Sequence, residues 1–264
     1  MASVSWQSIA HYQALSPRSF ELSYPPMPRS IDRDNARKLQ LLPYYNTVFL
    51  IDDSLSMMFT RNNDEKANWA IVEIWLGVMA EIAARYNPNG IEIRFFHSRE
   101  IGRGIKDRNG VRNLFSKVFW FTTGTPTKTS ISVVLDEYFS GYRLTPQGLE
   151  MPKALNLIVI TDGAPSSPSE DPTGVILNCI QWLDQYGVPV NDREVGITFA
   201  QVGRDPRATL FRSRQDIIHH MPSMRRNQRK IVYTLKSKLN SVVLSNNDYN
   251  RKVIKLLLGV IDKT

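Results

Sequence analysis

The sequence predicts one α/β domain, a doubly wound and mostly parallel central sheet with helices on both faces. Three observations lead there. Apolar runs of strand length alternate along the chain with longer segments whose apolar residues recur at helical spacing. Two of the strand runs, 47–51 and 155–160, lack regular polar alternation, which places them at the centre of a sheet covered on both sides. With 264 residues and 42% hydrophobic content, the chain can fill one large core.

The elements follow in order. Residues 1–43 carry Pro17, Pro25, Pro26 and Pro28, scattered aromatics and no clear periodicity. They read as an irregular extension, with room for a short helix capped by Ser30. The domain proper spans 44–262. Its first strand, 47–51, precedes a helix over 65–86 in which Ala67, Ile71, Ile74, Val78 and Ile82 share a face. Asn87-Pro-Asn-Gly90 stops that helix, and 91–96 alternates as a strand. A short helix over 111–118 leads to the loop Thr122-Thr-Gly-Thr-Pro-Thr-Lys-Thr129, and 130–142 looks helical. After the apolar strand 155–160 come a helix over 172–186 and a strand over 195–202. A helix near 209–220, a strand at 231–235 and a helix over 249–261 complete the alternation, which implies right-handed crossovers.

Composition narrows the function classes. No stretch approaches the roughly 18 to 20 apolar residues of a membrane-spanning helix. The start, Met1-Ala-Ser-Val-Ser-Trp-Gln-Ser, lacks the basic and apolar regions of a secretory signal. The single cysteine, Cys179, lies among apolar neighbours and excludes an intrachain disulfide. A cytoplasmic location away from membranes is the expectation. The net charge is +8, and its densest part is the run of Arg204, Arg207, Arg212, Arg214, Arg225, Arg226, Arg229 and Lys230, opposed only by Asp205 and Asp216. This run is either a solvated face or a patch for a polyanion such as nucleic acid.

In a doubly wound sheet, ligands bind at the carboxyl ends of the strands, beside the topological switch point. After the first central strand comes Asp52-Asp-Ser-Leu-Ser56; after the second comes Thr161-Asp162-Gly163. Gly124-Thr125-Pro126-Thr127 lies between them in sequence. Asp52 and Asp162 supply anionic oxygen, while Ser54, Ser56 and Thr125 supply hydroxyls. A site with so few carboxylates suits Mg2+ better than Ca2+. The absence of nearby His or Cys argues against zinc. Positions 52, 54 and 56 alternate by two, so an extended loop would turn all three side chains one way.

These residues carry a resemblance. Asp52-x-Ser54-x-Ser56, Thr125, and Asp162 in a Thr-Asp-Gly turn are similar to the complete metal-ion-dependent adhesion site of the von Willebrand factor A (vWA) family. The likeness is strongest to intracellular fungal members. It extends through Thr47-Val-Phe-Leu-Ile-Asp-Asp-Ser, Gly124-Thr-Pro-Thr, Leu155-Asn-Leu-Ile-Val-Ile-Thr-Asp-Gly163, Gln201-Val-Gly203 and Leu256-Leu-Leu-Gly-Val260, over about residues 44–262. It implies a binding module rather than an enzyme, holding Mg2+ (or Mn2+ or Ca2+). In the family the serines bind the metal directly, and the threonine and aspartates bind directly or through water. An Asp or Glu carboxylate of a protein partner completes the coordination. Asp53 then supports the loop, and Lys128 lies on the rim. Leu55 departs from the family's usual glycine, and Lys128 stands where a small residue is common.

Two alternatives remain. A phosphotransferase of the haloacid dehalogenase type also places an aspartate after an apolar strand, but it needs a second acid two residues on, where this chain has Ser54. A nucleic-acid-associated protein would use the basic 204–230 face, with salt-sensitive binding.

Overall fold

The computed structural model describes residues 31–58, 67–119, 123–188, 194–203, 205–215, 231–235, 239 and 246–261. Strands β1 (Tyr45–Ile51) and β6 (Ala154–Thr161) pair in parallel through the middle of a six-stranded sheet. On one side of β1 lie β2 (Ile91–Phe95) and the antiparallel edge strand β3 (Gly102–Ile105); beyond β6 lie β7 (Val195–Gln201) and β8 (Val232–Thr234). The order β3-β2-β1-β6-β7-β8 reverses direction between β1 and β6. That pair is therefore the switch point.

The pleat explains why the two central runs are almost wholly apolar, with Thr47 and Asn156 as their buried exceptions. Phe49, Ile51, Ile158, Ile160 and Ala200 face one helical layer: α1 (Arg33–Leu39), α2 (Asn68–Tyr86), α3 (Arg108–Phe115) and α7 (Asn246–Leu258). Val48, Leu50, Leu157, Val159 and Phe199 face the other: α4 (Thr127–Ser140), α5 (Thr173–Gln185) and Phe211 of α6 (Pro206–Gln215). Alternate side chains reach opposite faces and both faces are dry, so no polar position is needed. The predicted fold class is the observed one.

Helix α2 is buried on nearly every side, from Trp69 through Ala83, because β-sheet, α3 and α7 all pack on it. Such a helix is apolar all round rather than striped. Trp69, Phe95 and Phe115 form the joint between α2, β2 and α3, with centroid separations of 4.4 to 5.8 Å.

Several boundaries differ from the sequence reading. Within the stretch expected to be irregular, α1 forms, and its N-cap is Asp32, whose Oδ1 accepts the Asn35 N–H at 2.9 Å; Ser30 lies outside the described residues. Leu39 and Leu42 are fully buried, so the packed core begins before residue 44. Helix α4 starts at Thr127, and α6 starts at Pro206, where Asp205 accepts the Arg207 N–H. Residues 216–220 of the expected helix lie outside the described residues. Strand β3 and the hairpin of β4 (Arg143–Thr145) and β5 (Gly148–Glu150) were not expected. Neither carries apolar alternation. Among the described residues, no helix is long and apolar enough to cross a membrane.

A buried polar contact ties the C-terminal helix to the sheet. Asn156, fully buried in β6, donates from Nδ2 to the Leu257 carbonyl at 3.0 Å. The chain then turns through Gly259 at φ +49°, where an added Cβ would stand 2.4 Å from Asn156 Oδ1. Gly259→Ala combines a left-handed backbone with that clash, and we expect a loss of roughly 2–4 kcal/mol. Equal denaturation midpoints for the variant and the parent protein would contradict this account.

Candidate metal centre

The carboxyl end of β1 continues its pairing for one more residue, because the Asp52 N–H donates to the Ile160 carbonyl at 2.9 Å. There the chain turns. Asp52 Oδ1 accepts the Ser54 N–H at 2.9 Å, an Asx turn that competes with continuation of the strand. The Met57 N–H then donates to the Ser54 carbonyl, opening a short 3-10 helix over Leu55–Met58. The loop is thus a turn and a helical coil, not the extended segment expected from alternate spacing. Side chains 54 and 56 converge all the same: their Oγ atoms lie 3.0 Å apart. Leu55 opens the 3-10 segment, a right-handed shape open to any L-residue, so the missing glycine has no backbone consequence there.

The second acid arrives from β6. Ser56 Oγ donates to Asp162 Oδ1 at 2.9 Å, and Thr161 Oγ1 donates to Asp52 Oδ2 at 2.6 Å. Asp52, Ser54, Ser56, Thr161 and Asp162 therefore form one bonded cluster across the switch point. Thr125 is buried beside it, with Oγ1 3.9 Å from where a Cβ on Gly163 would stand. Its carbonyl accepts N–H groups from Thr127 at 2.9 Å and Ser166 at 3.3 Å. Asp52, Ser54, Thr125 and Asp162 are buried, while Ser56 is exposed and opens the cluster to solvent.

Asp53 has a different role. It is fully buried, and its carboxylate accepts the N–H groups of His97 at 2.9 Å and Ser98 at 2.8 Å. The His97 ring Nδ1 lies 3.0 Å from the same carboxylate. Asp53 thus staples the turn after β2 to the loop after β1. Lys128 is exposed in the first turn of α4. In the basic stretch, Arg207 is exposed but paired with Asp205 at 2.9 Å, and Arg212 and Arg214 follow it on α6. Arg204, Arg225, Arg226, Arg229 and Lys230 lie outside the described residues.

One contact escaped the sequence reading. Asn68, the first residue of α2, donates from Nδ2 to Asp162 Oδ2 at 3.1 Å. Nothing local to Asn68 signals this, since its partner is distant in sequence.

The electrostatics of the cluster are one-sided. Burial pushes the Asp52 carboxyl from its ordinary 3.8 up to about 6, against hydrogen bonds from Ser54 and Thr161, and the charge of Asp162 adds to the rise. Burial raises Asp162 as well, against its bonds from Ser56 and Asn68. Among the described residues, no lysine or arginine forms an ion pair with either. No group of three or more His, Cys, Asp or Glu side chains able to hold a metal comes together among the described residues. The donor set here is two carboxylates with three hydroxyls. Hard oxygen atoms of that kind fit a Mg2+ ion that keeps part of its water shell. Held together as they are, Asp52, Ser54, Ser56 and Asp162 fit such an ion, with Thr125 alongside.

A carboxyl raised in the fold binds its proton more tightly there than in the unfolded chain, so its contribution to stability is lost as pH rises. In chelator, we expect stability to fall between about pH 4 and pH 6 by on the order of 2–3 kcal/mol through Asp52. Asp52→Asn should flatten that part of the profile; a wild-type slope in this variant would refute the assignment. The chain matches no protein-family model and no curated protein, so the arrangement of these residues carries the functional reading.

Proposed function

We propose that this chain is a vWA-type protein-interaction module that binds one divalent cation, Mg2+ or alternatively Mn2+ or Ca2+. Asp52, Ser54, Ser56, Thr125 and Asp162 hold it, and a partner's Asp or Glu carboxylate completes the coordination. The observation that carries this reading is the pair of buried carboxylates, joined through Ser54 and Ser56 at the switch point, with no ion-paired lysine or arginine among the described residues. Buried charge of one sign is costly unless compensated. A bound cation compensates both acids and reverses the rise in their proton affinity.

The residues divide the work. Ser54 and Ser56 turn neutral oxygens toward the ion, so its charge is only balanced by two aspartates and it still attracts an anionic oxygen. Thr161 and Asn68 orient the two carboxylates, as supporting hydrogen bonds do around metal ligands. Exposed Ser56 marks the open side, where the partner's carboxylate approaches. Lys128 adds positive charge to the same rim. The chemistry supplied by the metal is electrostatic attachment. We place the protein in the cytoplasm, away from membranes.

The phosphotransferase alternative fares less well. Ser54 stands where that chemistry needs a proton-donating acid, and its hydroxyl is engaged with Ser56. Incubation with an aryl phosphate and Mg2+ should release no phosphate.

Binding to the folded state alone stabilises it by mass action, by about 2.7 kcal/mol at a hundredfold excess over Kd. We expect Mg2+ or Mn2+ to raise the melting temperature of the wild type. Asp52→Ala and Asp162→Ala should remain folded and lose the rise. Equal shifts in all three proteins would remove the site. Capture of an acidic protein partner should likewise require metal. If single Asp→Asn and Glu→Gln changes in that partner leave binding intact, the carboxylate contact is wrong.

A further inference from the structure

We propose that Glu170 is the positioning residue for Thr125, holding the threonine loop to the Asp162 loop from outside the ligand set. This inference rests on the metal reading above and concerns how the fifth ligand is kept in place.

Thr125 stands in a turn that local sequence does little to fix. It precedes Pro126, whose φ of −79° and ψ of 61° form an inverse γ-turn closed by the Thr127 N–H on the Thr125 carbonyl. Helix α4 begins at once, and Pro126 at its N-cap offers no side-chain acceptor. The orphan N–H groups of a helix start need partners from elsewhere. Glu170 supplies one. Its Oε2 accepts the Thr129 N–H at 3.0 Å, and its Oε1 accepts the Thr129 hydroxyl at 2.8 Å. This two-point grip of a carboxylate on a helix N-terminus is also favoured by the helix dipole.

The chain that delivers Glu170 starts at the metal site. From Asp162 it runs past Ser166, whose N–H donates to the Thr125 carbonyl at 3.3 Å. It then coils through a 3-10 turn at Pro168–Glu170 and enters α5, where Asp171 accepts the Thr173 N–H at 2.8 Å. The segment is therefore fixed at both ends and clamps the threonine turn in between. On the other side, Ser130 Oγ lies within bonding distance of the Phe96 carbonyl at 3.2 Å and the Pro126 carbonyl at 2.8 Å. Ser130 ties the start of α4 to the end of β2, and Glu170 ties it to the loop after β6. Of these two, the second runs to the segment that carries another proposed ligand, Asp162, beside the Ser166 N–H on the Thr125 carbonyl. Without it, the threonine turn keeps its γ-turn and its link to β2, and its hold on the Asp162 loop rests on the Ser166 N–H bond at 3.3 Å.

A helix cap alone would alter stability and leave metal affinity untouched. A distant negative charge alone would alter affinity through its field, without needing Thr129. Three full-length proteins separate these cases: wild type, Glu170→Ala and Thr129→Val, which removes the hydroxyl without changing charge. Mg2+ affinity is measured by titration calorimetry, and exchange of the backbone amides over residues 125–130 is followed in chelator. We expect Glu170→Ala to weaken Mg2+ binding about tenfold and Thr129→Val about threefold. Exchange in this turn should quicken in both variants while the β6 amides stay protected. Should Glu170→Ala fail to fold, Glu170→Gln keeps its shape and replaces it in the same comparison. Wild-type Mg2+ affinity in both variants overturns the inference and leaves the metal site standing. A loss confined to Glu170→Ala reduces its role to charge and also overturns it. Absence of Mg2+ binding by the wild type refutes the metal reading itself, and positioning by Glu170 with it.

Discussion

Everything at the candidate centre depends on the parallel pairing of β1 with β6. The register sets Ile51 against Ile160, and one further backbone bond sets Asp52 against the end of β6. From that point the two chains part, each carrying its acid a residue or two further on. Parallel strands start and stop together, so their carboxyl ends deliver side chains from remote sequence to one place. Because β1 and β6 are buried on both faces, a slip in their register would force each side chain into a packing site shaped for another, and interiors this dense tolerate little misfit. The geometry of the acids inherits that resistance.

Around this pairing, the polar groups sort by the direction in which they are used. Asp52 and Asp53 are adjacent and both fully buried, yet they serve opposite sides of the loop. Asp52 faces β6 and accepts from Thr161. Asp53 faces β2 and accepts from the backbone of His97 and Ser98. Successive residues leaving a strand point to opposite sides, so one dipeptide joins three strand ends. The loop after β1 is therefore held from both neighbours. Its serines converge without help from an extended backbone.

Much of this is legible in the sequence, and the limits have physical causes. The central strands can be read because burial on both faces leaves Thr47 as the one polar residue in 47–51, and the same burial identifies 155–160 as its partner despite Asn156. The helices can be placed by periodicity, with ends that shift by a few residues where caps decide, as Asp32 and Asp205 do. Edge strand β3 has no such signature: Gly102-Arg-Gly-Ile105 pairs with one strand only and needs no alternation. In the site, the acids and hydroxyls are recognisable by type and spacing. Asn68 and Glu170 are not, since each acquires its role from an approach of distant segments. Hydrogen bonds that fix a ligand from another element leave no local trace.

Helix α2 begins at Asn68 and is enclosed on nearly all sides from Trp69 through Ala83. A helix so enclosed has no free surface along which to rotate or slide, because interiors are packed as densely as molecular crystals. The amide that steadies Asp162 is thus mounted on a helix held by the core on nearly all sides. A change of volume in the core around α2, for instance at fully buried Trp75, would shift the helix against its neighbours. It would surface as a displaced amide beside Asp162, so that the core and the acid cluster share a single mechanical tolerance.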